Sequence, residues 1–436
     1  MKKNDNITLS ITGLTSEGMG LGRYTENDSN IVIFVPFSAV GDVLDIHIVK
    51  LHKNYAYGKI NRIITPSPDR IEADCPHFMK CGGCDYRHIT YDAEIAAKKQ
   101  IVIDAFSRIG GFDIGDIEIE PSLNENHYRN KAQLPVEITS DGAFYGFYAK
   151  NSHRIIRISD CKLQPTEFDL YCNFAVKLKL PGIRHFYLRK TRNGDVMFCF
   201  VADRFYTEYK NAAEIITQKF PAIKSVILNI NPDNTNVILG KKNRTLCGAD
   251  FLVDYICGKT VKISPNSFYQ VNTPAAEKLY EKVAEYAEPD GKTVLDLYCG
   301  IGTIGLSLAD RALKVVGAEI VPEAVKNCEE NIRLNNLTNM SAHGGDAGEI
   351  AARFEREGLK PDIIITDPPR KGCDNKTLDS IVKMNPERIV MVSCNPATAA
   401  RDCKFLCEHG YSLKKLSAHD MFPRTANVEC IVLMQK

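Results

Sequence analysis

The sequence predicts an α/β protein. A doubly wound, largely parallel sheet forms its C-terminal part, a small β-barrel opens it, and an α+β unit lies between. Three observations carry this reading. Beyond about residue 263, short apolar runs ("TVLDLYCG", "KVVGAEI", "DIIITDPP", "RIVMVSC") alternate with helical stretches such as "PEAVKNCEENIRLNN", as in an open sheet covered on both faces. The first 64 residues are short β-rich runs broken by glycine turns. Between 126 and 262, strand-like runs are interrupted by helical pieces at 164–178 and 207–219.

Length and composition fit that division. A chain of 436 residues is too long for one ordinary core and suggests two or three domains. An apolar fraction of 44% and a charged fraction of 25% are those of a soluble globular protein. A net charge of +1 argues neither for nor against nucleic acid, so a polyanion partner needs a local basic face. No run of 18 apolar residues occurs, which argues against a membrane partner. The basic start "MKKNDNITLSITG" has no apolar stretch behind it and does not read as a secretory signal. A cytoplasmic location is therefore expected. There the 15 cysteines favour metal binding or catalysis over disulfides, although any one alone is ordinarily a small buried apolar residue.

Taken in order, "NITLSITGL", "NIVIFVPFSAV" and "DVLDIHIVKLHKNYAYGKINRII" supply five short strands, turned by "SEGMGLGR" and Gly41-Asp42, enough for a small barrel. "TPSPDR" (65–70) reads as a linker. "DCPHFMKCGGCDYRH" (74–88) has no periodicity and looks held by something other than a core. Its Cys75, Cys81 and Cys84 lie within ten residues around a Gly-Gly turn and can converge on one metal, with a fourth ligand from elsewhere. Four thiolates suit zinc or an iron–sulfur cluster, and His77 and His88 are close enough to serve a zinc variant. Residues 91–111 have helical spacing and end on Gly-Gly. In the central unit, His127, Arg129 and Lys131 flank an aromatic, and 189–194 and 240–244 are basic turns. Such groups suit phosphate contacts and stacking on unpaired RNA, and equally suit solvated surface turns.

The C-terminal unit carries the sharpest local signals. In "VLDLYCGIGTIGL" (294–306) an apolar strand ends in Asp296, and a turn bearing Gly300, Gly302 and Gly305 leads into an apolar helix. The spacing formally satisfies the dinucleotide fingerprint, but an acid before the turn repels a pyrophosphate. The next strand ends in Glu319, 23 residues past Asp296, where a carboxylate can accept from both hydroxyls of a ribose. This favours S-adenosylmethionine, which has a positive sulfonium and no phosphate. Asp346 is placed to meet an adenine amino group. Asp367 ends a wholly apolar strand before two prolines that offer no N–H to cap, so it is expected to face a ligand. In "SCNPAT", Cys394 stands at the mouth of a buried strand with Asn-Pro turning the chain behind it: either space-filling or a nucleophile facing a cleft. Glu429 interrupts the apolar "NVECIVLM". A carboxylate buried there with a raised pKa suits a proton acceptor, and one on a solvated edge strand would be ordinary.

Asp-Pro-Pro-Arg-Lys-Gly at 367–372, "SCNPAT", "FPRTANVECIVLM" and the glycine turn together resemble the RNA uridine C5-methyltransferases, most of all their iron–sulfur branch acting on 23S ribosomal RNA. The resemblance spans nearly the whole chain. It implies a TRAM-like barrel at 1–64, a central cluster-bearing, RNA-binding domain at 74–90 and 126–262, and a Rossmann-like methyltransferase domain at 91–125 and 263–436. It makes Cys394 the nucleophile that adds to uracil C6, and Glu429 the base that removes the C5 proton. Gln270 becomes a contact to donor or target base, and Tyr298 a donor-contacting aromatic. Cys161 becomes the fourth ligand of a 4Fe–4S cluster with Cys75, Cys81 and Cys84. The target uridine is expected to be unpaired or flipped from its stack. No obligate protein partner is implied. One alternative is a transfer-RNA uridine C5-methyltransferase, against which the barrel and cysteine segment argue, because those enzymes usually lack both. Another is an RNA-binding assembly factor with a vestigial methyltransferase fold, against which intact Cys394 and Glu429 argue.

Overall fold

The computed structural model describes every residue except 27, 28, 141 and 234. At the N-terminus, alternation of apolar residues builds a six-stranded sheet. In Val43–Leu51 every second residue through Ile48 points inward, and Leu44, Ile46 and Ile48 join Leu9, Ile33 and Val35 in one buried core. The expected five strands become six because a two-residue strand, Gly13–Leu14, pairs with Met19–Glu26. The last strand, Tyr55–Thr65, uses the first residue assigned to the linker. Buried Asp42 then ties that linker down. It accepts from Arg70 Nε and Nη2 at 2.8 and 2.7 Å and from the Ser67 N–H at 2.9 Å.

The central unit is a seven-stranded sheet with Gly142–Tyr148, Lys131–Thr139, Ile183–Lys190 and Val196–Ala202 as consecutive neighbours. Its helices, Thr166–Ala175 and Glu208–Lys219, cover one face with Phe168, Tyr171, Tyr209 and Ile216. Val196–Ala202 is buried at every position, as its unbroken apolar run requires.

The C-terminal unit is an eight-stranded sheet. Its order is Met340–Gly344, Lys314–Glu319, Thr293–Leu297, Ile363–Thr366, Arg388–Ser393, Glu429–Gln435, Ser412–His419 and Glu118–Glu120. The first five run parallel, and Glu429–Gln435 inserts antiparallel between Arg388–Ser393 and Ser412–His419. Alternate residues feed two cores. Val294 and Ile363 face one side, and Leu295 and Ile364 face the other. Burying each such side chain contributes roughly 1.5–3 kcal/mol, so the strands that position the site are strongly anchored. The helix Tyr91–Ala105 lays Ile101 and Val102 against the second core, widens into a π turn at Phe106–Gly110, and stops at Gly111 in the left-handed region (φ 74°). Chain order reverses across Thr293–Leu297, and the crevice at the carboxyl ends there is where such sheets bind ligands.

Candidate active site

A cleft of about 650 Å³ opens at those carboxyl ends. Gln270, Tyr298, Gly300, Glu319, Asp346, Asp367, Cys394 and Glu429 all line it. Asp296 and Gly302 lie behind that lining, in the strand end and the turn that shape it. Tyr298, Gly300 and Gly302 hold φ of 68°, 58° and 88°, so the chain doubles back sharply after the strand. Gly302 is required by packing, since a Cβ there would lie 2.6 Å from Cys328 Sγ. Asp296 is fully buried beneath the turn, where its Oδ2 accepts from the Gly305 N–H at 3.1 Å. Burial, then the charge of Asp367, pushes its carboxyl up to about 8. It braces the turn from below.

Glu319 presents its carboxylate by a double anchor. Oε2 accepts from Gly300 N–H at 3.0 Å and Oε1 from Val321 N–H at 2.7 Å, leaving further lone pairs for a ligand. Asp346 is the N-cap of Ala347–Arg356, accepting from Gly348 and Glu349 N–H through Oδ1 at 3.1 and 3.3 Å. Tyr298 is oriented by Thr377, its hydroxyl 3.3 Å from Oγ1. Gln270 is nearly buried, whereas Phe268, two residues earlier, is 62% exposed at the cleft wall.

The Asn-Pro after Cys394 is explained by a helix start. Asn395 Oδ1 accepts from Ala397 N–H at 3.2 Å, and Pro396 occupies the first helical position, where no N–H is needed. Cys394 is therefore held at a strand-to-helix corner. Ser393 pairs with Cys430 across the antiparallel strands, so Cys394 and Glu429 follow on the same end of the sheet. Glu429 begins an interior strand and is 5% exposed, which removes the solvated-edge alternative. Burial, then the charge of Asp367, raises its carboxyl well above the ordinary range, partly offset by Arg370. The Cys394 thiol is pushed up to about 11 by burial and by Glu429 and Asp367, again against Arg370. Burial takes Asp367 up to about 7. Arg370, Asn427 and Phe268 were missed in the sequence. Arg370 could have been found as the cation closing the Asp-Pro-Pro run. Arg370 Nη2 donates to Asn427 Oδ1 at 2.8 Å, and Asn395 Nδ2 donates to the Arg370 carbonyl at 2.8 Å.

Cys75, Cys81, Cys84 and Cys161 line a second cavity, of about 350 Å³. Among the described residues, no three His, Cys, Asp or Glu side chains converge closely enough to hold a single metal ion. All four cysteines lie in the wall of this one cavity. Burial pushes Cys81, Cys84 and Cys161 up to about 11 each. Arg87 Nε lies 3.4 Å from Cys84 Sγ. Arg129 and Lys131 also line the cavity, which suits a group that carries negative charge. His77 is in the wall, but His88 is turned toward the barrel, with Nε2 3.2 Å from the Ser38 carbonyl, so it does not serve as a ligand here. Arg129 and Asn427 line both cavities.

The two basic turns differ in exposure. Arg189 is 1% exposed at the end of Ile183–Lys190, Lys190 pairs with Glu167, and Arg192 pairs with Glu277 at 2.5 Å. Lys241 and Lys242 remain exposed.

The sequence profile of the tRNA (uracil-5-)-methyltransferases matches residues 90–436, and that of the TRAM domain matches residues 2–60. A protein of Bacillus cereus named an uncharacterized RNA methyltransferase is 40% identical over all of this chain and 98% of its own length. One from Clostridium tetani is 39% identical over all of this chain and 97% of its own. The chain belongs to the tRNA (uracil-5-)-methyltransferase family. It is an S-adenosylmethionine-dependent RNA methyltransferase with an N-terminal TRAM domain. Its fold matches that of the tRNA (uracil-54, C5)-methyltransferase of Pyrococcus abyssi, solved with S-adenosyl-L-homocysteine. The TM-score is 0.76 at 26% identity, covering 98% of this chain and 99% of that one. The likeness to that structure spans the barrel as well as the catalytic unit. No helix of the described residues is long and apolar enough to cross a membrane.

Proposed function

We propose that the protein methylates C5 of a uridine in 23S ribosomal RNA through covalent addition of Cys394. The reading rests on one relationship: a thiol and a buried carboxylate at the mouths of neighbouring strands, in the cleft that Glu319 and Asp346 line. The Cys394 thiolate adds to C6 of the flipped uracil, and the C5–C6 electron pair moves onto the O4 enolate. C5 then attacks the methyl carbon of S-adenosylmethionine, the methyl–sulfur bond breaks, and S-adenosylhomocysteine leaves. Glu429 takes the C5 proton, the double bond re-forms, and the C6–sulfur bond breaks to return the thiolate. Glu319, Asp346, Tyr298 and Gly300 would hold the donor. Gln270 and Asp367 would face the donor or the base, and Asp296 and Gly302 would support the turn from behind.

Cys75, Cys81, Cys84 and Cys161 would hold a 4Fe–4S cluster. Four cysteines in the wall of one cavity, with Arg87, Arg129 and Lys131 beside them, support a group that carries negative charge. When bound, it would tie the 74–88 segment to the central sheet.

A second substrate is favoured by one finding, the full-length likeness to a transfer-RNA uracil-54 methyltransferase. Incubating the protein with S-adenosylmethionine and 5-fluorouridine-substituted 23S rRNA or tRNA separates the readings. Fluorine cannot leave as a proton does, so addition traps a methylated adduct. A rRNA adduct mapped to Cys394 is expected, and a tRNA adduct alone would transfer the assignment to tRNA. With neither adduct the thiolate mechanism fails.

A further inference from the structure

The loop 420–428, which delivers Phe422, Asn427 and Glu429 to the cleft, takes its shape from outside the catalytic sheet. Arg424 holds φ 68°, a conformation that costs a non-glycine residue energy and persists only where its surroundings impose it. Those surroundings belong to the cysteine segment and its neighbours. The N–H groups of Asp85 and Tyr86, directly after Cys84, donate to the Arg424 carbonyl at 2.9 and 3.2 Å. Asp85 Oδ2 accepts from Ala426 N–H at 3.0 Å, and its Oδ1 accepts from Lys150 at 2.8 Å. The Arg424 N–H donates to Glu94 at 2.7 Å, and its guanidinium reaches the Ile89 carbonyl at 2.9 Å and Glu125. Gly18 of the barrel presses on the same point, since a Cβ there would meet Asp85 Cβ at 2.9 Å and Ala426 Cβ at 3.1 Å.

We propose that Asp85 is a positioning residue for methyl transfer: it clamps the 424–427 backbone so that Asn427 holds Arg370 and Glu429 stays opposite Cys394. The proposal rests on the reading of Cys394 and Glu429 given above. The relay is continuous. Asp85 holds Ala426, the next residue Asn427 receives Arg370 at 2.8 Å, and the Arg370 carbonyl receives Asn395, neighbour of Cys394, at 2.8 Å. Asp85 lines the cysteine cavity but not the cleft, so its effect on the reaction must pass through this loop. The order of the cysteine segment thereby reaches the catalytic corner through hydrogen bonds alone.

The test uses the full-length chain purified anaerobically, with Asp85→Ala, Asp85→Asn and Lys150→Ala variants. Asp85→Ala is expected to lower kcat and the rate of adduct formation with 5-fluorouridine RNA at least tenfold. Binding of RNA and of S-adenosylhomocysteine should stay within twofold. Asp85→Asn, whose amide oxygen still accepts from Ala426, should recover kcat to within threefold, and Lys150→Ala should match the wild type. An unchanged kcat in Asp85→Ala overturns the proposal, as does a loss shared equally by both affinities or one not rescued by Asn. If Asp85→Ala does not fold, Asp85→Glu replaces it, its extra methylene displacing Ala426, and a wild-type kcat there is equally fatal. Absence of any Cys394 adduct in the wild-type chain overturns the functional reading and this proposal with it. A normal wild-type adduct with an unaffected Asp85→Ala overturns this proposal alone.

Discussion

Cys394 and Glu429 stand one residue beyond the Ser393–Cys430 pair, on two adjacent antiparallel strands that end at the same cleft. Two acidic groups so placed oppose each other's ionisation. Burial, sharpened by the neighbouring Glu429, takes the thiol to about 11, while burial and Asp367 raise the Glu429 carboxyl.

That coupling sets a pH dependence. With the thiol at about 11, only about one in a thousand Cys394 side chains is a thiolate at pH 8. Alkylation of Cys394 by iodoacetamide should therefore climb about tenfold per pH unit between 7 and 10. Glu429→Gln removes a charge that raises the thiol, so its limb should move to lower pH. Arg370→Gln removes the charge that lowers it, and should move the limb upward. In the same Glu429→Gln variant the C5 proton has no acceptor, so an adduct with ordinary uridine RNA and S-adenosylmethionine should accumulate. Limbs that coincide in all three proteins would sink the electrostatic account.

The two turn glycines should fail in different ways. At Gly302 a methyl group meets Cys328 Sγ at 2.6 Å on a backbone at φ 88°. Gly302→Ala should therefore cost about 1–3 kcal/mol of stability, the range for a strained backbone. At Gly300 a Cβ meets nothing within 4 Å, and the residue lines the cleft. Gly300→Ala should cost less stability, about 1 kcal/mol. It should weaken S-adenosylhomocysteine binding more. Thermal melting and calorimetric titration of both variants decide the matter, and an equal pattern in the two would contradict it.

The same residues show what a sequence can and cannot convey. Asp296, Glu319 and Asp367 look alike in the chain, each an acid ending an apolar strand. Only the turn geometry separates Asp296, folded under the glycines, from the two that face the cleft. The period-two alternation of Val43–Leu51 and the solid apolar run of Ile363–Thr366 made both sheet types legible. Glu118–Glu120 was not legible, because three residues carry no period and the strand exists only by pairing with Ser417–His419 from the far end of the chain. Lys131 and Arg189 suit RNA contacts or a solvated surface turn equally in the sequence, yet they are register partners on adjacent strands of the central sheet. Burial of a charged side chain depends on what packs over it, which local composition does not encode.

The cluster proposed for the four cysteines is open to a direct chemical test. A cluster with four thiolate ligands brings about four irons and four sulfides per chain and a broad visible absorption. Zinc brings one colourless ion. Under the proposed assignment the group is the larger one, and His88, committed to the Ser38 carbonyl, is not among its ligands. Anaerobically purified protein should therefore be coloured, with iron and sulfide in equal amounts. Cys161→Ser removes the one thiol contributed from the central unit, and should abolish both the colour and the iron. It should also loosen the 74–88 segment, seen as faster amide exchange at Asp85 and Tyr86. Cys247→Ser serves as the control, because Cys247 lies on the Lys242–Gly248 strand away from the cavity and should leave iron content unchanged. Zinc at one equivalent with no iron, or iron retained in Cys161→Ser, would overturn the assignment of these four ligands.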